Sequence, residues 1–403
     1  MGAEKKKFPK IRFEGFEGTW RIKKLGDIGS VKMCRRIFKD ETVEKGIIPF
    51  YKIGTFGGTA DAFISNELFN EYRSKYAYPS SGDILISAAG TIGRTVVYKG
   101  EDAYFQDSNI VWLDHDGTKL SNSFFYQVLQ SISWNELEGS TIKRLYNSHL
   151  LGKEISLPNL KEQTQIGNFF QKMDEVIELQ QKRLALTQDY KKSMLQKMFP
   201  QKGEKVPRVR FGGFSEDWKE QKLGNNTNLI TKGTTPKIND NSGEINFIKV
   251  ENLNNGSINP IYKTSEFEHD NYLKRSRLEY GDILFSIAGT LGRTAFVEKE
   301  ILPANTNQAL AIIRGYNFDA YFLITALSGN IVEEYIRKNP TIGAQPNLSL
   351  EQVRSLQILS PSLKEQTAIG NFFQKLDEKI EAESAKLEKL QAMKKAMLQR
   401  MFV

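Results

Sequence analysis

Apolar residues recur at helical spacing along two long stretches of the chain, residues 161–199 and 364–402. In both stretches an apolar residue returns every three or four positions. Pro158 precedes the first stretch, Pro200 ends it, and Gly167 is the one glycine within it. Each stretch therefore predicts one helix of nearly 40 residues. The apolar stripe on one side favours a coiled coil, with the other copy as the partner helix.

The regions before these stretches, residues 20–157 and 218–360, show a different pattern. Short β-rich runs such as Asp83–Ser87 are separated by clusters of Gly, Asn, Asp and Ser. A short helix is predicted in each region, at Asn122–Glu136 and at Phe318–Arg337. Each region is therefore predicted to form a mixed α/β domain, which makes the whole chain an α+β protein.

The chain contains a long internal repeat. FPKIRFEGFEGTWRIKKL at residues 8–25 matches VPRVRFGGFSEDWKEQKL at 206–223, and LKEQTQIGNFFQKMDE at 160–175 matches LKEQTAIGNFFQKLDE at 363–378. The order of the matches is preserved, and their offset drifts only from 198 to 203 residues. A unit of about 200 residues has thus been duplicated, and an internal pseudo-twofold repeat is predicted.

Inside this repeat, residues 32–75 have little in common with residues 232–275. Two similar domain frameworks with different inserted segments are expected of a protein that performs the same function on two different targets. Neutral drift after an old duplication would leave the same pattern, so the sequence leaves both explanations open.

Charge and composition favour a polyanionic partner. The 403-residue chain has 56 Lys and Arg against 48 Asp and Glu, which gives a net charge of +8. Cys34 is the only cysteine, so an intrachain disulfide and a thiolate metal cluster are excluded. No stretch has the apolar length of a membrane span or the pattern of a signal peptide. A cytoplasmic protein without membrane contact is expected.

The sequence motifs of several enzyme classes are missing. We find no GxxxxGK[ST] loop, no GxSxG elbow, no HExxH motif and no Asn-Pro-Pro-aromatic element for methyl transfer to a flipped base. The three histidines lack the spacing of a zinc finger. The chain is therefore expected to be non-catalytic and to hold neither a metal nor a cofactor.

Two glycine-rich segments, AAGTIGRT at 88–95 and IAGTLGRT at 287–294, occupy equivalent positions in the repeat. Their glycines are predicted to adopt positive φ in a tight turn between strands. The backbone N–H groups of such a turn, with Arg94 or Arg293, could also bind DNA phosphate. The turn is the main expectation, and the phosphate contact is a second role.

The divergent segments contain the side chains best suited to contact DNA. Arg and Lys can pair with guanine in the major groove, and Asn and Gln can pair with adenine. The candidates in the first half are Arg35, Arg36, Lys39, Lys52, Arg73, Lys75, Lys143, Arg144 and Asn147. The candidates in the second half are Lys232, Thr234, Thr235, Lys237, Lys249, Asn252, Lys274, Arg275, Arg277, Asn305, Asn307, Gln308, Gln345 and Asn347. Any one of them alone is typical of a solvated surface, and it is the mixture of basic and aromatic residues that points to nucleic acid.

The paired layout resembles the specificity subunit of type I restriction–modification systems. The motifs that carry the resemblance are PKIRFEGFEGTW and PRVRFGGFSEDW, GDIL followed by AGTIG or AGTLG, GAQPNLS at 343–349, and LPNLKEQTQIGNFF and LSPSLKEQTAIGNFF. The resemblance covers essentially the whole chain. Where the second half has GAQPNLS, the first half reads KRLYNSH and keeps only Asn147 opposite Asn347, so a DNA role is less expected for that loop.

This resemblance implies two target-recognition domains, at residues 1–157 and 218–360, which bind the halves of a split double-stranded DNA target. The long helices, at 158–200 and 361–403, would pack antiparallel and hold the domains apart, with a linker at 201–217. Two modification subunits would dock on the chain and methylate adenine with S-adenosylmethionine. Restriction subunits would then add an ATP-driven nuclease.

Two other functions remain open from the residues alone. A stand-alone two-domain DNA-binding regulator would need no enzyme partner. A divergent single-chain nuclease or methyltransferase would act on DNA by itself with Mg²⁺ or S-adenosylmethionine. Which bases are read depends on side-chain placement in the divergent segments, so the sequence leaves the two half-sites and the spacer length open.

Overall fold

The structure, a computed structural model, describes residues 8–132, 134, 144–201, 203–238, 241, 243–254, 256–338 and 347–402. The described chain divides into two compact units. The first unit contains the residues up to Gln180 together with those from Leu387 onward, and the second contains Gln181 to Lys386.

The first unit is built from short strands and helices that lead into a long helix. Its elements are β1 (Arg21–Lys24), β2 (Ser30–Lys32), β3 (Ile48–Tyr51), β4 (Phe63–Ile64), α1 (Asn66–Lys75), β5 (Ile84–Ser87), β6 (Thr95–Val97), β7 (Tyr104–Phe105), β8 (Ile110–Asp114), α2 (Asn122–Ser131), α3 (Asn147–Gly152), β9 (Glu154–Leu157) and α4 (Leu160–Met198).

Its strands form a four-stranded antiparallel sheet in the order β2-β8-β5-β6, a three-stranded sheet in the order β4-β3-β7, and a β1-β9 ribbon. All four residues of β5 are buried because different layers cover its two faces. Ile84 and Ile86 lie in the core that also contains residues of α2 and α4. Leu85 lies in the core shared with the three-stranded sheet. Burial on both faces explains why this strand reads as a continuous apolar run.

The second unit repeats this plan with additions. Its elements are β10 (Lys219–Lys222), β11 (Thr227–Lys232), β12 (Ile245–Ile248), β13 (Leu253–Asn254), β14 (Ser257–Ile258), β15 (Tyr262–Thr264), α5 (Glu266–Asn271), β16 (Ile283–Ser286), β17 (Thr294–Phe296), β18 (Ala304–Thr306), β19 (Leu310–Tyr316), α6 (Ala320–Leu327), α7 (Asn330–Lys338), α8 (Leu350–Arg354), β20 (Gln357–Ser360) and α9 (Leu363–Met401). The sheet orders β11-β19-β16-β17 and β15-β12-β18 and the β10-β20 ribbon match those of the first unit strand for strand. Among the described residues, the β13-β14 hairpin and α7 belong to the second unit alone. The predicted internal repeat and the mixed α/β class are therefore confirmed.

A buried ion pair anchors the segment in front of each unit's first strand. The guanidinium of Arg12 donates two hydrogen bonds of 2.7 Å to Glu162, whose carboxylate is fully buried at the start of α4. Arg210 makes the same two bonds, also of 2.7 Å, to the buried Glu365 at the start of α9. The same arginine and glutamate in both copies of the repeat thus tie each leading segment to a long helix.

Each long helix is divided between the units: α4 up to Gln180 and α9 from Leu387 belong to the first unit, and the rest of both helices belongs to the second. Within each unit the two helices pair. In the second unit Arg183 Nε donates to Glu383 at 2.8 Å, and Lys191 bonds to Asp377. Residue numbers rise along α4 as they fall along α9, so the paired segments are antiparallel. In the first unit, the late α9 residue Lys394 pairs with Asp174 near the start of α4 in the same sense. The predicted antiparallel pairing is thus confirmed in each unit.

The shorter helices depart from the sequence prediction. The helix predicted at Asn122–Glu136 ends at Ser131, because Ile132 already has extended backbone. Positions 133, 135 and 136 of the predicted range lie outside the described residues. The helix predicted at Phe318–Arg337 is interrupted, with α6 ending at Leu327 and α7 beginning at Asn330. The hydroxyl of Ser328, in the interruption, is hydrogen-bonded to that of Thr294 in β17. A tertiary contact there competes with continuation of the helix.

Candidate nucleic-acid interface

The two glycine-rich segments form equivalent turns, as predicted. Gly90 and Gly93 have φ of 62° and 81°, and Gly289 and Gly292 have φ of 72° and 82°. A buried serine holds each turn from inside. In the second unit the hydroxyl of Ser286 donates to the carbonyl of Thr290 at 2.6 Å and accepts from the backbone N–H of Arg293 at 2.7 Å.

In the first unit, three candidate cations gather at the end of the sheet that carries this turn. Arg94 donates to the carbonyl of Phe56 at 2.9 Å, which joins the turn to the loop after Lys52. Arg144 donates to the carbonyl of Ser108 at 2.8 Å, in the turn between β7 and β8. Lys52 is ion-paired with Asp61 at 2.8 Å, and the two side chains are 41% and 60% exposed. One surface thus collects segments that are far apart in sequence.

The corresponding surface of the second unit carries neutral polar groups as well. The N–H of Thr234 donates to the carbonyl of Thr306 at 2.9 Å, and the Thr235 hydroxyl donates to Gln308 Oε1. Asn347 is exposed. The next residue, Leu348, donates a backbone hydrogen bond to the carbonyl of Ile287, the first residue of the glycine-rich segment. The two units therefore present different chemistry on the same frame.

The expected correspondence between Asn147 and Asn347 is wrong. Leu348 N–H donates to the carbonyl of Ile287, and the equivalent bond in the first unit joins Leu145 N–H to Ala88, both at 2.8 Å. Leu145 is therefore the counterpart of Leu348, at an offset of 203 residues. Arg144 consequently stands opposite Asn347, and Asn147 opposite Leu350 in the first turn of a short helix. Equivalent residues are already 203 positions apart at this loop, whereas the alignment of KRLYNSH with GAQPNLS assumes an offset of 200. That alignment is therefore wrong by three residues.

Aromatic rings support the cations that follow β2 and β11. The guanidinium of Arg35 lies 5.3 Å from the ring centre of Tyr76, the C-cap of α1. Lys237 Nζ lies 3.6 Å from the ring centre of Tyr272, the C-cap of α5. Both helices begin at a serine cap, so the same helix position supplies a tyrosine to each unit. Sequence analysis missed these two tyrosines, because they lie 11 and 7 residues after their capping serines and no repeated spacing marks them.

The remaining candidates are placed as follows. Arg73 pairs with Asp102 and lies over Tyr78, and Lys75 pairs with Glu71, so these two charges are already partly satisfied. Lys249 lies 3.6 Å over the ring of Tyr262. Arg36, Lys39, Asn147, Lys232, Lys274, Arg275 and Arg293 are exposed. Lys143 and Gln345 lie outside the described residues.

Two asparagines proposed as base readers are structural. Asn252 is 1% exposed and donates to the carbonyl of Asn259 at 2.9 Å. Asn305 is fully buried, and its amide donates to the carbonyl of Leu273 at 2.9 Å. Their amide groups complete the hydrogen bonding of buried backbone, so neither faces a ligand.

The chemistry of this surface is polar contact and charge. Burial raises the pKa of the Cys34 thiol to about 12, so it stays a protonated, unreactive core group. A hydrogen bond with Glu251 raises the pKa of Tyr262, which keeps that phenol neutral beneath Lys249. In the described part of the chain, no three His, Cys, Asp or Glu side chains come together as metal ligands. None of the helices there combines the length and apolar character that a membrane crossing requires.

Comparison with known proteins identifies the family. The model of the type I restriction modification DNA specificity domain matches residues 17–188 and again residues 215–392. A putative type I restriction enzyme specificity subunit of Haemophilus influenzae is 55% identical over 154 residues, a match that spans 38% of this chain and only 40% of that protein. A putative specificity subunit of Methanocaldococcus jannaschii is 23% identical over 97% of this chain and 94% of its own length.

Among solved structures, the type I restriction–modification S subunit of M. genitalium has the same fold. It superposes with a TM-score of 0.65 at 18% identity and covers 98% of this chain and 99% of its own. Two like α/β units, each with a polar surface of its own on a shared frame, define a protein with two recognition domains. The chain belongs to the type I restriction modification DNA specificity family, as a specificity subunit with two target-recognition domains and no catalytic role of its own.

Proposed function

We propose that this chain reads a split double-stranded DNA target, one half-site per unit, and directs separate modification and restriction subunits to it. The observation that carries the proposal is the pair of equivalent surfaces with different side chains. Arg35 and Arg36 in the first unit occupy the place that Thr234 and Thr235 occupy in the second. Different donors and acceptors on one frame are what two different base sequences require.

Within these surfaces we assign DNA contacts to the candidates that are exposed or half-buried. Cations on the surface neutralise phosphates, and the neutral amides and hydroxyls discriminate base edges. Arg35, Arg36, Arg94 and Arg144 fill this role in the first unit, and Lys232, Lys237, Lys249, Lys274, Arg275 and Arg293 in the second. Arg73 and Lys75 contribute less, because each already has a carboxylate partner. Since its target is intracellular DNA, we place the protein in the cytoplasm.

The starts of the long helices are the proposed docking sites for two modification subunits. Lys161, Thr164, Asn168 and Lys172 are exposed on α4 and line a surface groove of about 430 Å³, whose apolar part is Phe13 and Phe169. The same residue types recur, also exposed, at Lys364, Thr367, Asn371 and Lys375 on α9. Surface residues are not held identical by packing. These exposed residues are nevertheless identical in the two copies of a repeat that has diverged elsewhere. Their identity supports binding of the same partner protein at both sites.

Exchange of one recognition domain tests the proposal. Residues 20–157 are replaced by the equivalent domain of another family member, and the chain is assembled with its modification subunit. One half of the methylated motif should change, and the other half should stay the same. A motif that changed in both halves would contradict the assignment of one half-site to each unit.

The same assay separates the two other functions. Methylation or cleavage of DNA by the purified chain alone, with S-adenosylmethionine or Mg²⁺, would establish a catalyst. A regulator would bind its sequence without retaining any methyltransferase during purification. The proposed function instead requires that methylation appear only when the modification subunit is added.

A further inference from the structure

The second unit presents an exposed amide whose orientation is fixed. Gln308 lies at the tip of the turn between β18 and β19, and the hydroxyl of Thr235 donates a hydrogen bond to its Oε1. Both side chains are exposed, and neither belongs to a core cluster. Fixing an exposed Gln side chain costs rotamer entropy, and no packing of apolar residues offsets that cost here.

The segment that carries Thr235 is itself pressed against the turn. Gly233 N–H donates to the carbonyl of Leu310 at 3.1 Å, on the far side of the turn from the Thr234–Thr306 bond. A Cβ atom on Gly233 would lie 2.1 Å from the carbonyl oxygen of Asn307. Only glycine permits this approach, so backbone contacts set the position of the threonine that follows.

Helix α5 holds the other end of the same segment. The buried carboxylate of Glu268 accepts a hydrogen bond of 3.0 Å from the backbone N–H of Lys237. His269, the next residue of α5, is bonded to Asn305 of β18 at 2.5 Å. Hydrogen bonds from backbone N–H groups therefore hold the segment on both sides of Thr235, at Gly233 and Thr234 and at Lys237. The Thr235–Gln308 pair thus has the rigid support that a recognition group needs.

This pair is peculiar to the second unit. Strand pairing places Lys32 opposite Trp112 and Thr231 opposite Ile312, so Arg36 and Thr235 each lie four residues after an equivalent position. The turn residue that corresponds to Gln308 is Ser108. Different polar side chains at equivalent positions of a matching frame are expected where the two units read different bases.

We propose that Gln308 reads an adenine in the second half-site from the major groove, with Thr235 as its positioning residue. A Gln amide offers one acceptor and one donor side by side, which match the N6 donor and N7 acceptor of adenine. The Thr235 hydroxyl uses one lone pair of Oε1, so that oxygen can still accept from N6 while Nε2 donates to N7. The inference rests on the proposed function and names one base that it recognises.

The test assembles the chain with its modification subunit and measures methylation of duplexes that differ at single base pairs. The Gln308→Ala variant should lose its preference for adenine at one position of the second half-site by about 5- to 150-fold. The Gln308→Glu variant has only acceptors, so the preference at that position should move toward cytosine. Gln357→Ala, at another exposed glutamine of the second unit, and Ser108→Ala, at the matching turn of the first, should leave that half-site unchanged.

Substitutions of Thr235 test the positioning role separately. Thr235→Val removes the hydroxyl and should weaken discrimination at the same base pair, while Thr235→Ser keeps the hydroxyl and should restore it. A residue that only braced the turn would lower the melting temperature without changing the preferred base. If a Gln308 variant does not fold, the Val and Ser pair decides the matter by the same measurement.

The outcomes separate this inference from the proposed function. A wild-type complex without any preferred sequence would overturn the proposed function. If the wild-type complex has a defined motif and the Gln308 and Thr235 variants methylate that same motif unchanged, only the adenine assignment is overturned. A loss of preference at one position of the second half-site, with the first half-site intact, would support both.

Discussion

Two arginines in the segment before β10 differ in environment although they are only two residues apart. Arg210 is 15% exposed in its side chain and pairs with the buried Glu365, and this hydrogen-bonded pairing raises the pKa of the guanidinium. Arg208 is 66% exposed and pairs with Glu204 on the surface. Removing one partner of a buried pair leaves an uncompensated buried charge, whereas a surface pair is screened by solvent.

The matched variants Arg210→Met and Arg208→Met should therefore differ strongly. Arg210→Met keeps the alkyl stem but strands the Glu365 carboxylate, and we expect the free energy of unfolding to fall by about 3–5 kcal/mol. Arg208→Met should change it by less than about 1 kcal/mol. Urea denaturation of the two purified variants measures both effects. Equal losses would show that the buried pair contributes no more than the exposed one.

At the scale of elements, Gly167 explains an oddity of the first long helix. Glycine in a helix interior is unfavourable by roughly 0.5–1 kcal/mol relative to alanine. A Cβ atom at Gly167 would, however, lie 2.7 Å from the backbone N of Phe124 in α2. Gly370 of α9 has the same relation to Phe322 of α6, at 2.8 Å. The glycine is thus required by close packing between helices.

We expect Gly167→Ala to destabilise the first unit by about 1–3 kcal/mol, in spite of alanine's better helix propensity, because the methyl group forces α2 and α4 apart. Gly152→Ala is the control, since Gly152 ends helix α3 with no atom within 4 Å of an added Cβ. That control should be neutral or mildly stabilising. Thermal unfolding compares them, and a stable Gly167→Ala variant would contradict the packing argument.

At the scale of the whole molecule, the repeat predicts how many partners the chain carries. The exposed residues at the start of α4 have identical counterparts at the start of α9, so each copy offers one proposed docking surface. A charge reversal on one copy should therefore remove one partner and leave the other in place.

Native mass spectrometry of the complex with the modification subunit measures this count. We expect two partner subunits on the unaltered chain, one on Lys161→Glu/Lys172→Glu, and none when Lys364→Glu and Lys375→Glu are added. Lys389→Glu is the control, because Lys389 is exposed on α9 but has Leu186 as its counterpart. Two partners on the fourfold variant would place the docking surface elsewhere.

Local patterns in the sequence determined the repeat, the long helices and the glycine turns. Helical spacing over nearly 40 residues and positive φ at paired glycines depend on neighbouring residues, so they are legible from one chain. The family followed from the same motifs. Most of the predicted cations are exposed, since charged side chains rarely leave water, but some, Arg144 and Lys249 among them, are half-buried, and Lys143 lies outside the described residues.

Only the tertiary structure decided which polar residues face outward and which stand opposite each other in the repeat. Asn305 and Gln308 are three residues apart and were equal candidates in sequence, yet one completes buried backbone bonds and the other is exposed beside Thr235. The equivalence of Arg144 and Asn347 in the repeat likewise followed from the main-chain bonds that the next residues make to Ala88 and Ile287. Burial and register are set by contacts between segments far apart in the chain, and no local pattern carries that information.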